Sequence, residues 1–189
     1  MDEEKQKVTQ DRLWAPWRMA YIGGGDRVTG TPANELKFLP GADANCFMCR
    51  AAADMKDREN LVVARGRYTL VILNRYPYNN GHLLVAPLEH RGRLDEIAGE
   101  VNAEAIAQLT RASQVIERLM HAQGFNIGLN LGQVAGAGVP GHLHWHLVPR
   151  WQGDSNFMPV TADTRIVSQS LDAVWDLLSP ALAEGQGDG

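Results

Sequence analysis

The chain is short of cysteine, of surplus basic charge and of long apolar runs, and each shortage removes a class of protein. Among 189 residues only Cys46 and Cys49 are cysteines, too few and too close for a disulfide framework. In a cytosolic setting that spacing reads more readily as half of a metal site. Lys and Arg number 18 against 22 Asp and Glu, a formal net charge of -4. A dedicated nucleic-acid binder usually carries a basic face instead. A small anionic substrate remains open, because it responds to local donors rather than to net charge. No uninterrupted apolar run approaches the roughly 18 residues that span a bilayer. The start, Met1-Asp2-Glu3-Glu4-Lys5, lacks the basic-then-apolar order of a secretory signal. The expected location is therefore the cytoplasm, away from membranes. The remaining composition, 44% hydrophobic and 21% charged, is that of an ordinary soluble domain with one core.

Residues 1–12 are polar and read as a disordered N-terminus, residues 13–183 as a single domain, and 184–189 as a disordered tail. The stretch Leu13-Trp14-Ala15-Pro16-Trp17-Arg18 is too aromatic for a solvated tail; it pads the core edge, or forms a subunit interface or pocket rim. Gly23-Gly24-Gly25 is not followed by the Lys-Ser/Thr of a phosphate-binding loop and reads as flexible linkage. Strands are expected at 68–73 and 82–86, separated by the turn signal Pro77-Tyr78-Asn79-Asn80-Gly81. Residues 103–122 show helical periodicity, with Ile106, Leu109, Ala112, Val115, Ile116 and Leu119 on one face and Gly124 as the stop. A strand over 125–131 follows, then a glycine-rich loop, then a histidine segment. A short amphipathic helix from Leu171 to Leu182 closes the chain. This order predicts an α+β domain around an antiparallel sheet.

Three of the six histidines stand at 142, 144 and 146, alternating with Leu143, Trp145 and Leu147. On a strand the three imidazoles would share one face. Such a row could be a solvated edge, a metal site made by one strand, or a site for chemistry on an anionic group. Burying three imidazoles without partners is costly, and exposing them serves no structural end, so the third reading is favoured. Imidazole is a good nucleophile near neutral pH and can also hold or donate protons. Just upstream, Asn130-Leu131-Gly132-Gln133-Val134-Ala135-Gly136-Ala137-Gly138 carries glycines that let main-chain N–H groups approach an anion.

His142 through Val148 follow the pattern His-φ-His-φ-His-φ-φ, with φ apolar, and here the sequence resembles the histidine triad (HIT) family. Asn74-Arg75-Tyr76-Pro77-Tyr78-Asn79-Asn80-Gly81-His82, followed by Leu84-Val85-Ala86-Pro87, resembles the family's ribose-side strand and turn. The Leu-Trp-Ala-Pro-Trp-Arg start, the Gly-Ala-Gly loop and Pro149-Arg150-Trp151-Gln152-Gly153-Asp154-Ser155-Asn156-Phe157-Met158-Pro159 resemble its longer bacterial branch, similar to diadenosine-tetraphosphate phosphorylases and hydrolases. The resemblance implies a five-stranded antiparallel sheet with two main helices, extended by N- and C-terminal segments and paired into a homodimer. It implies His144 as nucleophile, His146 as a donor to phosphate oxygens, and His142 as the residue that orients the nucleophile, partly through its carbonyl. Asn74 would hold ribose hydroxyls, and Asn130 phosphates or ribose. Gln133 and His82 complete the expected substrate side. Many members have a Ser or Thr hydroxyl before the triad that aids the leaving group. This chain has Ala137-Gly138-Val139-Pro140-Gly141 there, so main-chain donors at Gly136, Ala137 and Gly138 are the expected substitutes.

Cys46-Phe47-Met48-Cys49 has the spacing of a zinc knuckle, and two further ligands must come from elsewhere. His90 and His142 are the candidates, a set similar to that of zinc-bearing triad proteins and the related galactose-phosphate uridylyltransferases. The zinc would be structural, since four protein ligands leave no open position. The alternative is two reduced, buried cysteines and a surface His90. His121 reads only as a favourable charge at a helix C-terminus. No organic cofactor is expected. The resemblance thus implies transfer or hydrolysis at the α-phosphate of dinucleoside polyphosphates, through a nucleotidyl-histidine. Alternatives are hydrolysis of other nucleotide conjugates, a nucleotide sensor without turnover, and an enzyme of nucleic-acid ends.

Overall fold

The computed structural model describes residues 31–154 and 169–184. The expectations for residues 1–12, 13–22, 23–25, 155–159 and 185–189 lie outside the described residues. Five strands form one antiparallel sheet: β1 Val62–Arg65, β2 Thr69–Leu73, β3 Leu83–Pro87, β4 Gly124–Leu129 and β5 Trp145–Arg150. Their spatial order is β1-β2-β3-β5-β4, so the histidine-bearing strand runs between β3 and β4. Among the described residues three α-helices accompany the sheet: α1 Phe47–Ala53, α2 Gly99–Met120 and α3 Leu171–Ala183. Among the described residues no helix is long and apolar enough to cross a membrane.

β2 and β3 are buried along their whole length, which suits Val, Ile and Leu on both faces of an interior strand. α2 turns Ala105, Leu109, Ala112 and Ile116 inward at helical spacing. Ile106, expected on that face, is 55% exposed; Ala105 and Gln108 hold the inner positions beside it. Glu104 ties α2 to the start of β2, accepting hydrogen bonds from the Tyr68 and Thr69 amides and the Thr69 hydroxyl at 2.6–2.9 Å. The helix ends earlier than Gly124: His121 caps it in the left-handed region at φ 54°, and Gly124 already opens β4. α3 buries Val174, Leu178 and Leu182 one turn apart, begins on a Ser170 cap, and donates from Trp175 Nε1 to the Val62 carbonyl at 2.8 Å. β1 and α1 belong to no periodic pattern in the sequence. Both are short, and both are defined by what they pack against.

Candidate active site and metal centre

The register of the sheet assembles the site. His146 on β5 faces Leu84 of β3 and Gly128 of β4. His82 stands two residues before Leu84, hence on the same face, and Asn130 follows β4 on the other flank. The strand assignment begins only at Trp145, so His142 and His144 lie in the approach to β5 rather than in its ladder. The three rings accordingly part company. His142 turns toward the cysteines, His144 stands alone between the two clusters, and His146 reaches back to His82.

His144 is buried at 5% exposure, and its Nδ1 lies 2.8 Å from the carbonyl oxygen of His142. A carbonyl only accepts, so Nδ1 carries the proton and Nε2 keeps its lone pair. Burial pushes the His144 pKa below the ordinary histidine value, which holds the ring neutral. The result is an unprotonated ring nitrogen on a fixed imidazole, the form in which an imidazole can act as a nucleophile. Its ring centroid is 5.1 Å from that of His146. His146 Nδ1 in turn lies 3.0 Å from His82 Nε2. Tyr78 adds a ring stacked at 5.8 Å on His146 and tilted at 4.8 Å on His82.

The other cluster contains Cys46, Cys49, His90 and His142, whose ligand atoms all lie within 4.8 Å of one another. Cys46 caps α1 and Cys49 sits in its first turn, which sets the two sulfurs side by side. His142 Nδ1 is 3.4 Å from Cys46 Sγ, 3.5 Å from Cys49 Sγ and 3.3 Å from His90 Nδ1, and Cys49 Sγ is 3.2 Å from His90 Nδ1. Tetrahedral zinc with ordinary bond lengths has ligand–ligand edges of about 3.3–3.8 Å, so the donor set fits such an ion. His142 Nε2 donates to the Pro87 carbonyl at 2.9 Å, which leaves Nδ1 available as a ligand atom, and such an outer hydrogen bond is what orients a histidine when it binds a metal. The two neighbouring thiols bias each other in opposite directions, the proximity of Cys46 pulling Cys49 down and that of Cys49, with burial, pushing Cys46 up. His90 is no detached surface residue: Gly141 lets its ring approach so closely that an added Cβ would meet Nε2 at 3.0 Å.

The remaining expected residues divide. Asn74 lies at the site, its Oδ1 accepting from the Tyr76 amide at 2.9 Å and its Nδ2 3.3 Å from His82 Nδ1. Asn130 reaches the glycine-rich loop, donating to the Gly136 carbonyl at 3.4 Å. Gln133 opens a single turn of 3₁₀ helix in that loop and is exposed. Two of the three expected main-chain donors are consumed: the Gly136 amide bonds the Gln133 carbonyl at 3.0 Å and the Ala137 amide the Gly132 carbonyl at 3.3 Å. Positive φ at Gly132 and Gly136 folds the loop onto itself, which is why those amides turn inward. The Gly138 amide has no acceptor among the described residues. The sequence offered no signal for the Tyr78 amide, which donates to His82 Nδ1 at 3.1 Å, or for the Pro87 carbonyl, since every residue type but proline has that amide and all have that carbonyl.

The HIT domain family model matches residues 56–153. An AP-4-A phosphorylase of Mycobacterium tuberculosis (strain ATCC 25618 / H37Rv) is 36% identical over 171 residues, covering 88% of this chain and 81% of the relative. An asymmetrical bis(5'-nucleosyl)-tetraphosphatase of Schizosaccharomyces pombe is 32% identical over 93 residues, 49% of this chain and 50% of the relative. A crystal structure of a zinc-bound histidine triad family protein from Mycobacterium smegmatis superposes with a TM-score of 0.54 at 29% identity, over 66% of this chain and 84% of that one. The chain belongs to the HIT family and is one of its enzymes.

Proposed function

We propose that this enzyme cleaves dinucleoside polyphosphates at an α-phosphate and passes the nucleotidyl group through His144 to inorganic phosphate. The observation that carries the reading is the buried His144 ring, bonded through Nδ1 to the His142 carbonyl so that Nε2 keeps its lone pair. The M. tuberculosis relative supports phosphorolysis and the substrate class. In the first half, Nε2 of His144 attacks the α-phosphorus in line; the P–N bond forms and the bond to the bridging oxygen breaks. The polyphosphate chain departs with its electron pair. His146 donates to the phosphate oxygens, with the Gly138 amide as the one expected loop donor that has no acceptor among the described residues. In the second half, a phosphate oxygen attacks the same phosphorus, the P–N bond breaks, and His144 returns neutral. Asn74 and Asn130 flank this row and are suited to sugar and phosphate oxygens.

Cys46, Cys49, His90 and His142 would hold zinc, whose closed coordination supplies rigidity and no Lewis-acid position. β4 is an edge strand with largely exposed side chains, including Ile127 at 51%, and is suited to pairing with a second copy; sedimentation at equilibrium would read that homodimer. The function is tested by supplying diadenosine tetraphosphate with and without inorganic phosphate. ADP plus ATP, formed only with phosphate, is the expected result. AMP plus ATP at equal rates without phosphate means water is the acceptor. That hydrolytic second reading draws on the asymmetrical tetraphosphatase relative.

A further inference from the structure

We propose that the main-chain amide of Tyr78, acting through His82, holds His146 as a neutral hydrogen-bond donor with its proton on Nε2. This deepens the preceding reading and rests on it for the part His146 plays toward phosphate. Tyr78 and His82 are positioning residues in this scheme.

The inference is a matter of counting protons from groups that can only donate. The Tyr76 amide donates to the Asn74 side chain at 2.9 Å, so the oxygen of that amide faces Tyr76 and its NH₂ end faces His82 Nδ1, 3.3 Å away. The Tyr78 amide also donates to His82 Nδ1, at 3.1 Å. Two donors converge on one nitrogen, so that nitrogen is an acceptor and the proton of His82 sits on Nε2. His82 Nε2 lies 3.0 Å from His146 Nδ1. There it must donate, and His146 Nδ1 must accept. A neutral His146 then carries its own proton on Nε2.

An imidazolium at His146 would place an N–H at Nδ1, directly against the N–H of His82. His82 cannot relieve the clash by moving its proton to Nδ1, because Tyr78 and Asn74 already point donors there. Nor does charging His82 help. It is 1% exposed, and burial first, with His146 and His144 nearby, holds its pKa down to about 3. The Tyr78 ring packs over both imidazoles and resists a flip of either. The donor toward phosphate is thereby fixed in tautomer before substrate arrives, and needs no proton uptake during turnover. His144 also keeps a neutral neighbour at 5.1 Å between ring centroids.

The test is the ring ¹⁵N spectrum of the full chain, purified without chelator and labelled at histidine, near neutral pH. His82 and His146 should both appear as the single Nε2–H tautomer, assigned with the His82→Phe and His146→Asn variants. Tyr78→Phe keeps the main-chain amide and should keep this signature. His82→Phe removes the donor, so His146 should become a mixture of tautomers. With diadenosine tetraphosphate and phosphate, kcat of that variant should fall about tenfold while KM changes less than about twofold, the size of one lost hydrogen bond. An imidazolium or an Nδ1–H tautomer at His146 in the unaltered protein overturns the proposal. So does a single unchanged tautomer at His146 in His82→Phe. If that variant does not fold, the spectrum of the unaltered protein decides alone. If diadenosine tetraphosphate is not consumed, the substrate reading fails while the spectra still judge the tautomer.

Discussion

Burial of His144 disfavours its imidazolium, and the His142 carbonyl settles which nitrogen is left to react. Replacing His144 with alanine should cut turnover by about 10⁴-fold, or about 5 kcal/mol of transition-state stabilisation, with little change in nucleotide affinity. Quenching the unaltered enzyme during turnover should trap a nucleotide on the protein that is stable to alkali and lost in mild acid. A variant without that adduct but with most of its activity would rule out the covalent route. His82 leads to a second expectation, about stability. Its folded pKa, about 3, lies below the ordinary value of 6.5, so between these pH values the unfolded chain binds the extra proton. Its contribution is therefore complete above the unfolded value and shrinks as pH falls through that window, by at most about 1.4 kcal/mol per pH unit. Denaturant unfolding at several pH values should show this slope, flattened in His82→Phe.

Between strands β3 and β5 the chain brings two short segments into close contact, and glycine permits it. The carbonyl of Pro140 would lie 2.7 Å from a Cβ at Gly92, nearer than atoms approach, and the Leu143 amide bonds the Arg91 carbonyl at 2.6 Å. Gly92→Ala should push the Pro140–Gly141 turn away and move His142 with it. Activity and metal affinity should then fall together, with the far-UV spectrum unchanged. Independent loss of either would show that the turn does not link them. The elements themselves were unequally legible. β2, β3, α2 and α3 follow from apolar runs and helical spacing. The first turn of α2 was missed because Gly99 and Asn102 are poor helix formers and Ala98 offers no side-chain cap. β1, only four residues long, takes its strand form from pairing with β2.

At the scale of the molecule, the four residues that could hold a metal join α1, the loop after β3 and the approach to β5, which are far apart in the chain. Protein purified without chelator should contain about one zinc per chain. At free metal 100-fold above its Kd, binding adds about 2.7 kcal/mol, or about 5–10 °C in Tm for a chain of this size. Thermal scans before and after exhaustive chelation would read that difference. An unchanged melting temperature on metal removal would contradict a structural site.

The sequence by itself determined the class of fold, the family and the kinds of groups available: the alternating histidines, the cysteine pair and the asparagine-bearing turn are local patterns, and local patterns are written in residue order. Tertiary structure decided which ring nitrogens of His142 and His144 face carbonyls, that the triad divides between the cysteine cluster and the His82 side, and which expected loop amides bond within the loop. Those outcomes depend on carbonyls and amides contributed by distant segments, Pro87 and Tyr78 among them. Main-chain groups are common to nearly all residue types, so their parts become visible only when the fold brings them into contact.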